Sequence, residues 1–355
     1  MRYVILFLSC ILVIACSNQR EEELDYDEPS EEASKQNAEL YEEVASNLNE
    51  PWEIVYHNEV FYISERDGYI VSIKDGSQIR KPVHLKKDLS NQSEAGLLGI
   101  AFPSDFTDIA YAYYSYQEES DFFQRVVEIK DQGDYWEETE VLLDKIPGGN
   151  YHQGGRIEIG PDEKLYITTG DATIPELAQD LESLAGKILR MNVDGTVPTD
   201  NPFDDSYVYS FGHRNPQGLA WVGDQLYATE HGSSAHDELN KIERGHNYGW
   251  PIIQGDENQE GMETPLIHSG NETWAPSGMT YYNENLYFAS LRGEGLRKAN
   301  LDTLEVSLVV SDVGRIRDVL ANENGIYFIT NNTDGRGNPI EGDDRLYYIA
   351  ANKLD

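Results

Sequence analysis

The sequence predicts an all-β fold: a single six-bladed β-propeller of four-stranded antiparallel blades, behind an N-terminal lipoprotein signal and an acidic linker. Three observations point there. Tyr supplies 23 residues and Met only 4, a balance that favours strands over helices. From residue 49 onward, short apolar-aromatic runs are cut by Gly, Asn and Asp, the residues of tight turns. Six of these runs share one pattern, with markers at residues 61, 111, 166, 227, 287 and 327, spaced by 50, 55, 61, 60 and 40. Hairpin repeats of that length are blade-sized, and residues 49–355 divided by six give about 51 each.

The chain begins with an export segment. Arg2 provides a positive start, and Val4 to Ala15 is an apolar run of 12 residues, too short to span a bilayer comfortably. It ends Val13-Ile14-Ala15-Cys16, which looks like a bacterial lipobox, so residues 1–15 read as a signal peptide and Cys16 as the lipidated residue. Acyl chains there would anchor the protein at roughly 0.8 kcal/mol per buried methylene. Residues 16–48 read as a tether: Glu21 to Glu32 holds eight acids and no base, too little apolar surface to offset ordering entropy. Residues 33 to about 48 are compatible with a short helix, and the folded body, 49–355, starts near Asn49. Within the body Ala178 to Leu189 is the main helical candidate, although Lys187-Ile188-Leu189-Arg190 reads equally well as a strand. The localisation that follows is an exported bacterial lipoprotein, on the periplasmic face of a membrane or the cell surface.

Composition narrows the function. With 27 basic and 64 acidic residues, net charge −37, the chain lacks the cations that nucleic-acid binding needs, and its membrane contact is confined to the lipid anchor. Both cysteines, Cys10 and Cys16, precede the body, so no disulfide staples it. No Gly-rich phosphate loop opens a helix after a strand, and no Cys-x-x-Cys-His marks a haem. In a propeller, loops from different blades converge on one mouth of the central channel. Polar, glycine-rich islands along the whole chain are therefore the place to seek chemistry. They run Glu94-Ala95-Gly96-Leu97-Leu98-Gly99, Tyr151-His152-Gln153-Gly154-Gly155-Arg156, Gly170-Asp171 and Gly212-His213-Arg214-Asn215-Pro216-Gln217-Gly218. Glu230-His231-Gly232-Ser233, Asp237-Glu238-Leu239-Asn240 and Asn247-Tyr248-Gly249-Trp250-Pro251 follow. Thr273-Trp274-Ala275-Pro276-Ser277-Gly278, Ser290-Leu291-Arg292-Gly293 and Gly314-Arg315-Ile316-Arg317-Asp318 complete the series.

In this order the islands resemble the soluble-type pyrroloquinoline quinone (PQQ) dependent glucose/sorbosone dehydrogenases, also called aldose sugar dehydrogenases, from Pro51-Trp52 to the segment after Arg317. The resemblance implies a six-bladed propeller that oxidises the anomeric hydroxyl of an aldose to the lactone, holding PQQ and calcium at the channel mouth. It implies His152 as general base with Asp171 as its partner, and Arg214 and Asn215 on the cofactor. It also places Thr273 on the cofactor, Glu94 on the substrate, and Gly232 and Ser233 as backbone-carbonyl ligands of calcium. Ser233 stands where the family carries Pro, so the loop loses a pre-set φ. Asp237, Glu238 and Tyr248 serve either a second calcium or the loop itself.

The residue chemistry agrees. PQQ is a planar quinone with three carboxylates, and arginine pairs with flat carboxylates through a two-pronged donor. Arg315 and Arg317 sit two apart, on one face if extended, while Arg292 and Arg214 add cations from other repeats. A neutral imidazole at His152 can accept a hydroxyl proton, and a carboxylate on its other nitrogen fixes the tautomer. Trp274 is the better aromatic candidate for a sugar, Trp250 reads as packing, and His213 and His231 as loop braces. Electrons would leave to an external acceptor, a cytochrome or quinone. Two alternatives are a calcium-dependent lactonase or hydrolase propeller, which would need converging acids instead of arginines, and a non-catalytic binding propeller.

Overall fold

The computed structural model describes residues 40–104 and 108–354; the export segment, Cys16 and the acidic run lie outside the described residues. Among the described residues, regular structure is strand apart from two short 3₁₀ turns, Pro175–Ala178 and Ala351–Lys353. Four sheets have four strands each, and a fifth has eight. That larger sheet consists of two antiparallel meanders, whose strands Ser77–His84 and Trp136–Pro147 pair in parallel at Val83 with Trp136 and His84 with Glu137.

Each meander runs inner strand to outer strand. The inner strands are Pro51–His57, Leu97–Ala101, Ile157–Ile159, Pro216–Val222, Pro276–Tyr282 and Ile316–Asn322. The second strands are Val60–Glu65, Ile109–Glu118, Lys164–Thr169, Gln225–Glu230, Asn285–Ser290 and Gly325–Thr330. All six sequence markers fall on second strands, because these are buried on both faces and so carry unbroken apolar-aromatic runs. Inner strands pack on their successors, except that Pro216–Val222 is met by the second strand Lys164–Thr169, and Pro51–His57 also touches Ile316–Asn322, so the row returns to its start. Apolar clusters fill the spaces between consecutive meanders. One holds Trp52, Tyr113, Ile157 and Leu189; another holds Ile54, Ile63, Val71, Ile329 and Leu346, joining last to first.

Two local expectations are corrected. Glu42–Ala45, assigned by sequence to the tether and its short helix, is a strand that pairs antiparallel with Leu346–Ala350 as the outermost strand of the last sheet. Leu40 and Tyr41 pack beside it, Tyr41 edge-on to Phe328 and Tyr347. Burial of those rings against the sheet outweighs the polar local composition, so the folded body begins before Asn49. The second correction is the helix over Ala178 to Leu189. Only a 3₁₀ turn, Pro175–Ala178, forms there, and Lys187–Asn192 is a strand. Lys187 explains the break: its buried ammonium donates to the carbonyls of Leu177, Ala178 and Ala185, fixing the segment as a loop.

Candidate functional site

One rule of chain geometry assembles the site. The segment leading into each inner strand and the segment leaving each second strand lie at the same end of their antiparallel pair. Leading in are Glu94, His152 to Arg156, Arg214-Asn215, Thr273 to Ala275, and Arg315. Leaving are Arg66, Gly170-Asp171, His231, Leu291-Arg292, and Asn331 to Arg336. Residues more than two hundred positions apart thereby meet on one face.

They surround a cavity of about 410 Å³ lined by Arg66, Arg292, Arg315, Arg317 and Arg336, with Glu94, His231, Gln153, Gln217 and Trp52. Of the predicted cations, Arg292, Arg315 and Arg317 are in the wall. Arg317 is 3% exposed; its Nη1 donates to Gln217 Oε1 at 3.0 Å, its guanidinium lies over the Trp52 ring at 5.7 Å, and its Nε has no partner. Burial, with Arg336, Arg315 and Arg66 nearby and only Asp334 opposing them, pushes this guanidinium down to about 9. A cation so strained is a cation without its anion. Arg315 is better supported, donating to Asp334 Oδ2 at 2.8 Å and to the Asn331 carbonyl.

Beside the wall stands the predicted base. His152 Nδ1 is 2.7 Å from Asp171 Oδ1, and Asp171 is fully buried. His152 adopts left-handed backbone, φ 62°, with its N–H donated to Glu94 Oε2 at 3.0 Å. The approach is close: a Cβ on Gly170 would lie 1.8 Å from the His152 carbonyl oxygen, so only glycine lets the two segments touch. Asp171 is held in turn. Trp250 Nε1 donates to its Oδ2 at 2.8 Å, and the Thr173 N–H to its Oδ1 at 2.8 Å. Arg214 covers the Trp250 ring at 5.3 Å, and Asn215 Oδ1 accepts from the Gly154 N–H. Trp250 is thus more than packing. Trp250→Phe keeps an aromatic ring, smaller than the indole, and removes one bond to a buried carboxylate, about 1.5 kcal/mol; kcat should fall about tenfold, and steady-state rates beside a thermal melt will show whether it does.

Other predicted residues sit elsewhere. Trp274 is 6% exposed, packed on Phe288, Met279 and Leu286 with Arg297 over its ring, so it belongs to the core between the fourth and fifth meanders and is absent from the cavity wall. The aromatic in the wall is Trp52. Thr273 Oγ1 donates to Asp237 Oδ2, which also accepts from the N–H groups of Trp274 and Ala275, while Asp237 Oδ1 accepts from Gly232. Both oxygens of Asp237 are therefore committed to joining two loops. Tyr248 is tied through its hydroxyl to Lys241 and Glu243 and stacks on His213, and Ser233 Oγ donates to Gln254. Burial and nearby Glu230 push the Glu238 carboxyl up to about 8. Among the described residues no group of three or more His, Cys, Asp or Glu is arranged to hold a metal ion.

Sequence reasoning passed over Arg66, Arg336, Trp52, Gln153 and Gln217, read Trp250 as packing, and treated His231 as a brace. His231 is instead a wall residue whose buried Nε2 has no partner; burial pushes it down to about 4, a neutral ring. Its place directly after a second strand, like Asp171 and Arg292, was the available signal.

Comparison with known proteins follows the same lines. The sequence model of the family described as Glucose / Sorbosone dehydrogenase matches residues 48–340. An aldose sugar dehydrogenase of Escherichia coli (strain K12) is 28% identical over 337 residues, 83% of this chain and 90% of the relative. Quinoprotein glucose dehydrogenase B of Acinetobacter calcoaceticus is 31% identical over 268 residues, 61% of this chain and 53% of the relative. The solved PQQ-bound aldose sugar dehydrogenase of Streptomyces coelicolor superposes with a TM-score of 0.81 at 36% identity, covering 88% of this chain and 97% of that one. With meanders, cation-lined cavity and buried His–Asp pair in place, this chain belongs to the glucose/sorbosone dehydrogenase family.

Proposed function

We propose that the protein is a six-bladed propeller that binds PQQ in the arginine-lined cavity and oxidises an aldose at its anomeric hydroxyl to the lactone, passing electrons to an external acceptor. The observation that carries the reading is the cavity's charge. Five arginines face Glu94 in the wall, and two wall atoms, Arg317 Nε and His231 Nε2, are buried without partners, while Arg214 lies outside this wall. A flat, thrice-ionised molecule supplies the acceptors such a wall lacks. A calcium hydrolase would place acids where these arginines stand.

When bound, PQQ supplies the two-electron acceptor for the hydride leaving the sugar carbon. The chain does the rest. Arg292 and Arg317 would hold carboxylates, with Arg315 kept in place by Asp334. Asp171 accepts from His152 Nδ1–H, which leaves Nε2 with its lone pair toward the substrate hydroxyl. There it takes the proton. Trp250 and Thr173 keep Asp171 from rotating away. For calcium, the carbonyls of Gly232 and Ser233 remain the proposed donors. The candidates for a second cation, Asp237 and Glu238, are both already engaged as acceptors, Glu238 Oε2 from Asn240 and Oε1 from the Gly255 N–H, which supports their role in tying the loop.

The reading is tested by purifying the protein, adding PQQ and calcium, and following dye reduction over a panel of aldoses. Absence of PQQ uptake by absorbance rejects it, and lactone hydrolysis without PQQ would favour the hydrolase. The proposed export as a lipoprotein, anchored through Cys16, has its own test: Cys16→Ser should move the protein from the membrane fraction to the soluble one.

A further inference from the structure

The cavity mouth is crossed by a chain of charges that the proposed chemistry has not used. Arg336 lies in the connection between Gly325–Thr330 and Leu346–Ala350, in the last sheet. Its Nη1 meets Glu94 Oε1 at 3.0 Å, across 242 residues of sequence, and its Nη2 and Nε meet Asp334 Oδ2 at 3.1 and 3.3 Å. On one side, the same Asp334 oxygen accepts from Arg315 Nη2. On the other, Glu94 Oε2 accepts the His152 N–H. Arg315, Asp334, Arg336, Glu94 and the base therefore form one unbroken line.

We propose that Arg336 is a positioning residue: through Glu94 it fixes the main chain of His152, and through Asp334 it ties that base to Arg315 on the cofactor side. This deepens the dehydrogenase reading and rests on it. Two features favour positioning over direct cofactor contact. All three guanidinium nitrogens of Arg336 are engaged with carboxylates, whereas Arg317 Nε is not. The held residue is also one that needs holding, because a left-handed, non-glycine φ at His152 relaxes unless its surroundings impose it. Glu94 is suited to the task. Burial alone would raise its carboxyl, but Arg336 and the His152 N–H hold it below the usual carboxylate range, so it stays a charged acceptor. A carboxylate can serve both partners at once, one oxygen each; an amide offers one acceptor oxygen.

The pair is partly solvated, Arg336 38% and Glu94 19% exposed, so its loss should disturb geometry more than stability. Arg336→Gln is expected to lower kcat about 10–100-fold, the cost of misplacing a base by about an ångström. PQQ affinity by absorbance titration should fall by clearly less than kcat does, since Arg336 stands in the wall but has its nitrogens committed to Glu94 and Asp334, with an unchanged thermal midpoint. In the cofactor-free protein, hydrogen exchange across residues 149–156 should quicken by roughly tenfold. Arg336→Lys should recover part of the rate, since one ammonium reaches Glu94 but cannot fork to Asp334 as well. Arg336→Gln combined with Glu94→Gln should be no slower than the slower single variant, because both break one line.

Wild-type kcat in Arg336→Gln, strictly additive losses, or unchanged exchange at 149–156 overturns the proposal. So does a fall in PQQ affinity equal to the fall in rate, which would make Arg336 a cofactor cation. If Arg336→Gln does not fold, Arg336→Lys and Asp334→Asn carry the same comparison. Failure of the wild-type protein to take up PQQ would instead remove the function beneath it.

Discussion

His152→Ala is expected to keep PQQ uptake and lose turnover by about 10²–10⁴-fold, the range for removing a general base. The separation follows from placement. The wall proposed to bind carboxylates holds Arg292, Arg315 and Arg317, none of which is bonded to His152, whose ring is spent on Asp171. Alanine also tolerates the site poorly in one respect, since the φ of 62° remains strained, so stability should be measured beside activity. Stopped-flow reduction of bound PQQ isolates the chemical step. Rates within threefold of wild type would show that the proton leaves by another route; equal loss of cofactor affinity would place His152 in the binding wall instead.

Arg317→Ala should do the converse and weaken PQQ binding. One charge-assisted bond in a buried site is worth about 1.5–3 kcal/mol, or roughly 10–150-fold in Kd. Arg317 should cost more than Arg315, because Arg315 already has Asp334 as its counter-ion and Arg317 has only neutral Gln217 and Ser277 within hydrogen-bond reach. The same reasoning sets a second sign. Removing a buried cation that lacks an anion relieves desolvation and repulsion, so cofactor-free Arg317→Ala should melt at a higher temperature than cofactor-free wild type. A lower melting point together with unchanged Kd would mean that Arg317 braces the wall and binds nothing.

The repeat was legible because its second strands are sandwiched between neighbours and must be apolar along their length, as Leu165-Tyr166-Ile167 and Leu286-Tyr287-Phe288 are. The first strand of the last sheet was not, because Glu42–Ala45 is an edge with half its residues exposed and so reads as solvent-facing text. Among site residues, His152, Asp171, Arg292, Arg315 and Arg317 stood out through glycine-rich surroundings. Arg336 lies in a similar setting, Thr333-Asp334-Gly335-Arg336-Gly337, but outside the islands that carry the family resemblance. Trp274 was misplaced for a physical reason: in a tight loop, successive residues face opposite ways. Ala275 reaches the cavity while Trp274 turns to Phe288. Sequence order assigns the loop to the mouth but leaves open which side chain faces inward.

Because the outermost strand of the last sheet comes from the beginning of the chain, the molecule is fastened like a belt, tail under buckle. A protein trimmed to start at residue 49 would keep every catalytic group and still be damaged. Leu346–Ala350 would become a bare edge with unpaired amides, and Phe328 and Tyr347 would lose Tyr41 as their cover, a surface that invites strand-to-strand aggregation. The last sheet is complete only when a strand from ahead of the first meander has paired with Leu346–Ala350.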